Sequence, residues 1–229
     1  MDDKRLPARY NKENPQKTNK RKPAGSSGQN EMDMNDMTKT TEMIRKEKQA
    51  LRKKIWAEEK TLDQAYRDEA AAKICQNIIS LPEYQSANVV LAFVSMRREA
   101  DMSTVLKDAL ASGKTLCVPL CIGDGIMDFR KIRGPEDLEP GSYGIMEPKK
   151  SCPVVPPEAV EFAVIPCVTC DRTGRRLGNG GGYYDRFLEK YKPPMAIVCR
   201  EKLLAEEVPM EPFDATVPVV VTEAGVFRN

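Results

Sequence analysis

Apolar residues recur at two spacings along this chain, and the change from one to the other outlines its architecture. Ile44, Leu51 and Ile55 fall on one stripe of a helix turning about 100° per residue, with Thr40 or Thr41 as N-cap and Glu42 in the first turn. Leu62, Tyr66, Ala70, Ile74, Ile78 and Leu81 make a second helical stripe. Thr61 and Gln64 suggest a capping box at its start, and Pro82 stops it. From there short apolar runs alternate with helical ones. Residues 88–94 read as a buried strand, 101–112 as a helix closed by Gly113, and 115–120 as a second strand. Residues 126–132 alternate and predict a strand at or near a sheet edge; 136–150 are loop-rich. A strand over 162–168 leads through a glycine loop into a helix over 183–191, then strands over 195–199 and, last, 219–221. Strands alternating with helices predict an α/β domain with a mainly parallel sheet covered on both faces.

The pattern is missing at the N-terminus. Up to Met43 there is one Leu, one Tyr and no Ile, Val, Phe or Trp. Such a stretch cannot bury enough apolar surface to offset its ordering entropy, so residues 1–40 are read as a disordered basic and polar tail, and 41–229 as the domain. The charge agrees: residues 1–30 carry eight Lys and Arg against three acidic residues, while the remainder carries 28 against 31. A nucleic-acid domain would show a basic surplus in its folded part, so nucleic acid is not the expected partner. The longest apolar stretch, residues 89–94, is far short of a membrane span, and the first residues contain no apolar leader core. The expectation is a soluble cytoplasmic protein with free thiols, monomeric or weakly dimeric. It contains no histidine, which excludes His-based triads, His general bases and His-ligated metals.

Two features carry chemistry. Lys48 lies at the edge of the first apolar stripe with Arg52 beside it, one turn on. Like charges at that spacing repel, so the pair is either two snorkelling side chains or an anion site where the helix meets the core. The second feature is the run from Gly174 to Leu188, in which Gly178, Gly180, Gly181 and Gly182 sit between a strand and a helix. Glycines let the backbone approach a ligand closely, and their N–H groups, with a helix N-terminus behind them, make an anion cradle suited to phosphate. The spacing fits neither a dinucleotide fingerprint nor a Walker A loop. Arg176 and Asp185 bracket the loop with groups suited to phosphate and magnesium.

The run Arg176-Leu177-Gly178-Asn179-Gly180-Gly181-Gly182-Tyr183-Tyr184-Asp185-Arg186 closely resembles the glycine loop of the 5-formyltetrahydrofolate cyclo-ligase family. Lys48-x-x-x-Arg52, Glu99-Ala-Asp101, Tyr143-Gly-Ile-Met-Glu-Pro148 and Val221-Thr-Glu223 resemble other segments of that family in the same order, over about residues 42–225. The sequence departs from the pattern at Asn179, where the family often has Arg, and at Phe213 and Pro218, where a His and an Asp are usual. The resemblance implies a three-layer α/β fold, NagB/RpiA/CoA-transferase-like. It also implies cyclisation of 5-formyltetrahydrofolate to 5,10-methenyltetrahydrofolate with ATP and Mg²⁺, through a phosphorylated formyl intermediate. By the same resemblance Lys48, Arg52, Arg176 and residues 177–184 would hold ATP. Arg176, Tyr183 and Tyr184 would act at the reacting groups, Val94 and Glu99 would meet the reduced folate, and Asp185 and Asp214 would hold Mg²⁺. A non-catalytic folate- or nucleotide-binding protein of the same fold is the alternative.

Cys117-x-x-x-Cys121 and Cys167-x-x-Cys170 offer zinc-ligand spacings, and Cys152 is spare. Cys117 and Cys167 lie in apolar runs that read as buried strands, so these cysteines are taken as small hydrophobes. The Pro-rich stretch from Pro153 to Pro157 is read as a linker loop, and Trp56 as a helix residue against the core.

Overall fold

The computed structural model describes residues 27–123, 125–141 and 144–229. Helices α1 (Ser27–Thr61), α2 (Gln64–Ile79) and α3 (Pro82–Ser86) precede strand β1 (Val89–Leu91). Helix α4 (Ser103–Ala111) leads to β2 (Thr115–Gly123) and β3 (Ile126–Lys131). The short strands β4 (Leu138–Pro140), β5 (Met146–Pro148) and β6 (Val154–Val155) follow, then β7 (Phe162–Ile165). A ribbon of β8 (Thr169–Cys170) and β9 (Arg176–Leu177) precedes helix α5 (Tyr183–Lys190), and β10 (Met195–Val198), β11 (Val219–Thr222) and β12 (Gly225–Arg228) complete the chain.

Eight strands form one sheet in the order β12-β11-β10-β7-β1-β2-β3-β6. The five central strands pair in parallel; β12 is antiparallel on one edge, and β3 and β6 are antiparallel on the other. Successive side chains of a strand point to opposite faces, and here both faces are covered. Val90, Phe162, Val164, Ala196, Val198 and Val221 pack with Ile74 and Ile78 of α2 and Val105 and Ala109 of α4. Leu91, Ala163, Ile165, Ile197 and Val220 pack with Ile55 of α1 and Phe187 and Leu188 of α5. Burying each large aliphatic side chain contributes about 1.5–3 kcal/mol, so the continuous β-branched runs specify a sheet sandwiched between helices. Residues Thr40–Asn229 form one compact unit.

The pattern needs correction at several points. Residues 1–26 of the expected tail lie outside the described residues, but α1 begins at Ser27 rather than near Thr41. The stretch after Gly28 has no further Gly or Pro and is rich in Met, Glu and Lys, which favour helix without needing an apolar face; Thr40 and Thr41 therefore lie inside the helix. The cap of α2 is Asp63, which accepts a hydrogen bond from the Tyr66 amide at 2.8 Å. Thr61 instead donates from Oγ1 to the Glu58 carbonyl at the end of α1. The first strand is shorter than expected, although Ala92 N–H still bonds the Cys117 carbonyl. Within the expected linker, Val154–Val155 pairs with β3. The strand over residues 219–221 is not the last, because β12 turns back along it. Trp56 is half-buried, with the Arg98 guanidinium 5.1 Å above its ring.

Candidate functional site

The glycine loop joins β9 to α5 above the sheet face covered by α1. Its last glycine, Gly182, is the N-cap of α5 at φ +68°, a left-handed conformation that a side chain disfavours. Two arginines take loop carbonyls: Arg52 Nε donates to the Gly178 carbonyl at 2.8 Å, and Arg186 Nη1 to the Gly181 carbonyl at 3.0 Å. Among the described residues, the backbone N–H groups of residues 178–182 donate to no protein acceptor. The loop thus offers carbonyls to cations and leaves its amides available.

Arg52 belongs to a charge cluster assembled from distant segments. Lys48, one turn earlier on α1, is buried at 6% exposure. Its Nζ donates to Glu211 Oε2 at 2.9 Å and to Asp214 Oδ2. Arg45 reaches the other oxygen of Glu211 at 3.0 Å. Burial lowers the Arg52 guanidinium from its ordinary value, while Asp185 and Asp214 oppose that shift. Glu211 is held below the usual carboxylate range: burial pushes it up, and the hydrogen bonds from Lys48 and Arg45 more than offset this. Lys48 is therefore buried rather than snorkelling, and two carboxylates neutralise it in the free protein. Glu211 belongs to none of the motifs that point to the site in the sequence. Its signal was the Pro-Met-Glu segment three residues before Asp214.

On the other side of the loop, Arg176 is buried and its Nη2 pairs with Asp185 Oδ1. Its Nη1 donates to the Pro166 carbonyl at 3.3 Å, and its guanidinium lies 5.8 Å from the centre of the Tyr184 ring. Two buried polar atoms here lack protein partners, Arg176 Nε and Tyr184 Oη. Burial, and secondarily the Glu99 charge, push the Tyr184 hydroxyl well above its ordinary value, so it stays a neutral donor. Tyr183 interacts with Cys121 on β2. Asn179 is exposed at the loop's crest.

Glu99 lies in the connection after β1. Its carboxylate accepts from Met96 N–H at 2.9 Å, and Arg200 Nη2 donates to its backbone carbonyl at 2.7 Å. Burial raises its carboxyl from 4.5 to about 7, despite that hydrogen bond and the Arg200 charge. It edges a groove of about 780 Å³ lined by Arg67, Arg97, Arg98 and Arg200. Val94 packs half-buried against the core under α2 and α4. Asp101 is occupied in bonding Ser103 N–H and Oγ at the start of α4. Phe213, beside Asp214, is 61% exposed.

The structure thus gathers Lys48, Arg52, Arg176, Asp185 and Asp214 around one loop, although up to 166 positions separate partners in contact. Three cations interleaved with carboxylates beside free amides are suited to a polyphosphate with a divalent cation. No helix among the described residues is long and apolar enough to cross a membrane.

The model of the 5-formyltetrahydrofolate cyclo-ligase family matches residues 44–223. The chain is 28% identical to a probable 5-formyltetrahydrofolate cyclo-ligase of Schizosaccharomyces pombe, over 71% of this chain and 88% of that one. It is 28% identical to the Escherichia coli K12 5-formyltetrahydrofolate cyclo-ligase, over 71% and 92%. Among solved structures, the 5,10-methenyltetrahydrofolate synthetase of Aquifex aeolicus is similar with a TM-score of 0.71 at 33% identity, covering 79% of this chain and 92% of that one.

Proposed function

The chain belongs to the 5-formyltetrahydrofolate cyclo-ligase family, and from that premise we propose that it cyclises 5-formyltetrahydrofolate to 5,10-methenyltetrahydrofolate, with ATP going to ADP and phosphate. The formyl oxygen attacks the γ-phosphorus and the bond to ADP breaks. Folate N10 then attacks the activated formyl carbon, the carbon–oxygen bond breaks, and phosphate leaves with that oxygen and the N10 proton. This chemistry needs no histidine: phosphoryl transfer rests on positioning and charge stabilisation.

The observation that carries the reading is the interlocking of cations and carboxylates at the loop. Lys48 is paired with Asp214, and Arg176 with Asp185. On this reading each pair exchanges partners when the nucleotide binds: Lys48 and Arg176 turn to phosphate oxygens, and Asp214 and Asp185 to Mg²⁺. The donor set fits a hard cation that prefers carboxylate oxygens, and when bound Mg²⁺ neutralises charge on the phosphates. Arg52 keeps the loop in register through Gly178, and the amides of residues 178–182 cradle phosphate at the N-terminus of α5. The buried Tyr184 hydroxyl and Arg176 Nε, unpartnered in the free protein, supply donors to the reacting groups. Tyr183 closes the loop's entry beside Cys121. Glu99 accepts from the pterin edge, with Val94 packing nearby. We read the enzyme as cytoplasmic, in keeping with its free cysteines; the similar protein of Arabidopsis thaliana is a mitochondrial form.

A spectrophotometric assay tests the proposal. Methenyl product should accumulate only when 5-formyltetrahydrofolate, ATP and Mg²⁺ are all present. Folate and nucleotide binding without turnover would instead favour the non-catalytic alternative, which the replacements at Phe213 and Pro218 motivate.

A further inference from the structure

Seven cysteines are free; Cys121 lies beside Glu147 and Tyr183, and the other six fall into two groups. Cys75, Cys117 and Cys152 each sit in the core with the thiol toward a single backbone carbonyl, those of Asp101, Val90 and Asp137 respectively. That is cysteine as a small hydrophobe with one weak donor. Cys167, Cys170 and Cys199 are different. They come from three places: the connection after β7, the end of β8, and the residue after β10. Their sulfurs nevertheless converge within 4.8 Å of one another. The Cys167 thiol also meets the Val198 carbonyl, at 3.3 Å, which brings it beside Cys199.

We infer that Cys167, Cys170 and Cys199 form a binding site for a thiophilic divalent cation, Zn²⁺, with three protein ligands and a fourth position open toward solvent at Cys167. Three thiolates at about 2.3 Å from a tetrahedral zinc lie about 3.8 Å apart, so the cluster needs only a contraction of the order of 1 Å. Cys170 and Cys199 are buried, and Cys167 is half-buried and gives the ion a route in. Binding replaces three thiol protons with the metal, so affinity rises with pH, and the positive charge of Arg200 next in the chain favours the resulting anionic cluster. The ion would fasten the β8–β9 ribbon to the end of β10. Cys170 stands directly across that ribbon from Arg176, so the site braces the strand that presents Arg176 to the loop. It stands on its own three residues and does not depend on the cyclo-ligase reading.

The full-length protein, reduced and stripped with a chelator, is titrated with Co²⁺ and then Zn²⁺ under anaerobic conditions. One equivalent of Co²⁺ should produce a sulfur-to-cobalt charge-transfer band, Zn²⁺ should displace it, and Zn²⁺ should raise the thermal midpoint. Cys199→Ser and Cys167→Ser should each weaken Co²⁺ binding by more than about 100-fold, whereas Cys152→Ala should bind as the parent does. Absence of the band from the folded parent overturns the assignment. So does a band that persists in both serine variants, or a disulfide among the three residues mapped in the native protein by mass spectrometry. Should Cys199→Ser fail to fold, the parent titration and Cys167→Ser decide.

Discussion

Glu99 carries a pH dependence whose direction follows from its surroundings. Its carboxyl is raised by burial from 4.5 to about 7, so between those values the folded chain holds a proton that the unfolded chain has lost. The contribution of Glu99 to stability therefore falls as pH rises across that window. Glu99→Gln should flatten the slope, as denaturant unfolding on either side of the window will measure. If the ionised carboxylate accepts from the pterin, the KM for 5-formyltetrahydrofolate should fall as pH rises through about 7 in the parent and stay level in the variant. Across the loop, Arg176 and Asp185 neutralise each other, and their variants should separate the two ligand roles. Arg176→Ala should raise the KM for ATP by roughly tenfold or more, about 1.4 kcal/mol, with the fold intact by circular dichroism. Asp185→Asn should shift the free Mg²⁺ requirement of turnover upward by a similar factor. Parental ATP and Mg²⁺ kinetics in both variants would remove these residues from the site.

At the level of elements, the ribbon before the loop depends on Asp171. This buried carboxylate accepts from the amides of Thr173, Arg175 and Val208 and from the Thr173 hydroxyl. It therefore folds the β8–β9 turn and ties it to the segment before Glu211. Asp171→Ala leaves amides without acceptors in a buried place and should cost at least about 2 kcal/mol by chemical denaturation. ATP affinity should fall with it, because Arg176 lies on this ribbon. Sequence pattern located the long elements apart from the start of α1, since continuous apolar runs and 3.6-residue stripes follow from burial on two faces and on one, and the first turns of α1 carry no such stripe. It missed β8, β9 and β6, which are two residues each. A two-residue strand has no period, and only its partner across the ladder defines it. It missed the Asp63 cap because Thr61, Asp63 and Gln64 offer competing caps within one turn, and the choice depends on where α1 ends.

For the whole molecule, the compact unit starts at Thr40, and every proposed site residue lies within it. Removing residues 1–38 should leave the cyclo-ligase kcat and KM values within about twofold of the parent; loss of turnover in the shortened protein would give the N-terminal stretch a catalytic part. Arg52 and Gly178 meet across 126 positions, a contact that only the packing of α1 on the sheet creates.

The amino-acid sequence by itself determined the alternation of strands and helices, the exclusion of histidine chemistry and the place of the glycine loop between a strand and a helix. All three rest on local composition and short-range spacing. The tertiary structure decided which charges neutralise which, bringing Glu211 and Asp214 to Lys48 and Asp185 to Arg176. It also decided that Cys199 joins Cys167 and Cys170, because a third ligand 29 and more residues away leaves no mark in the spacing of the first two. Electrostatic partnership and ligand geometry depend on distances of a few ångströms, and those are fixed only when separate segments pack against one another.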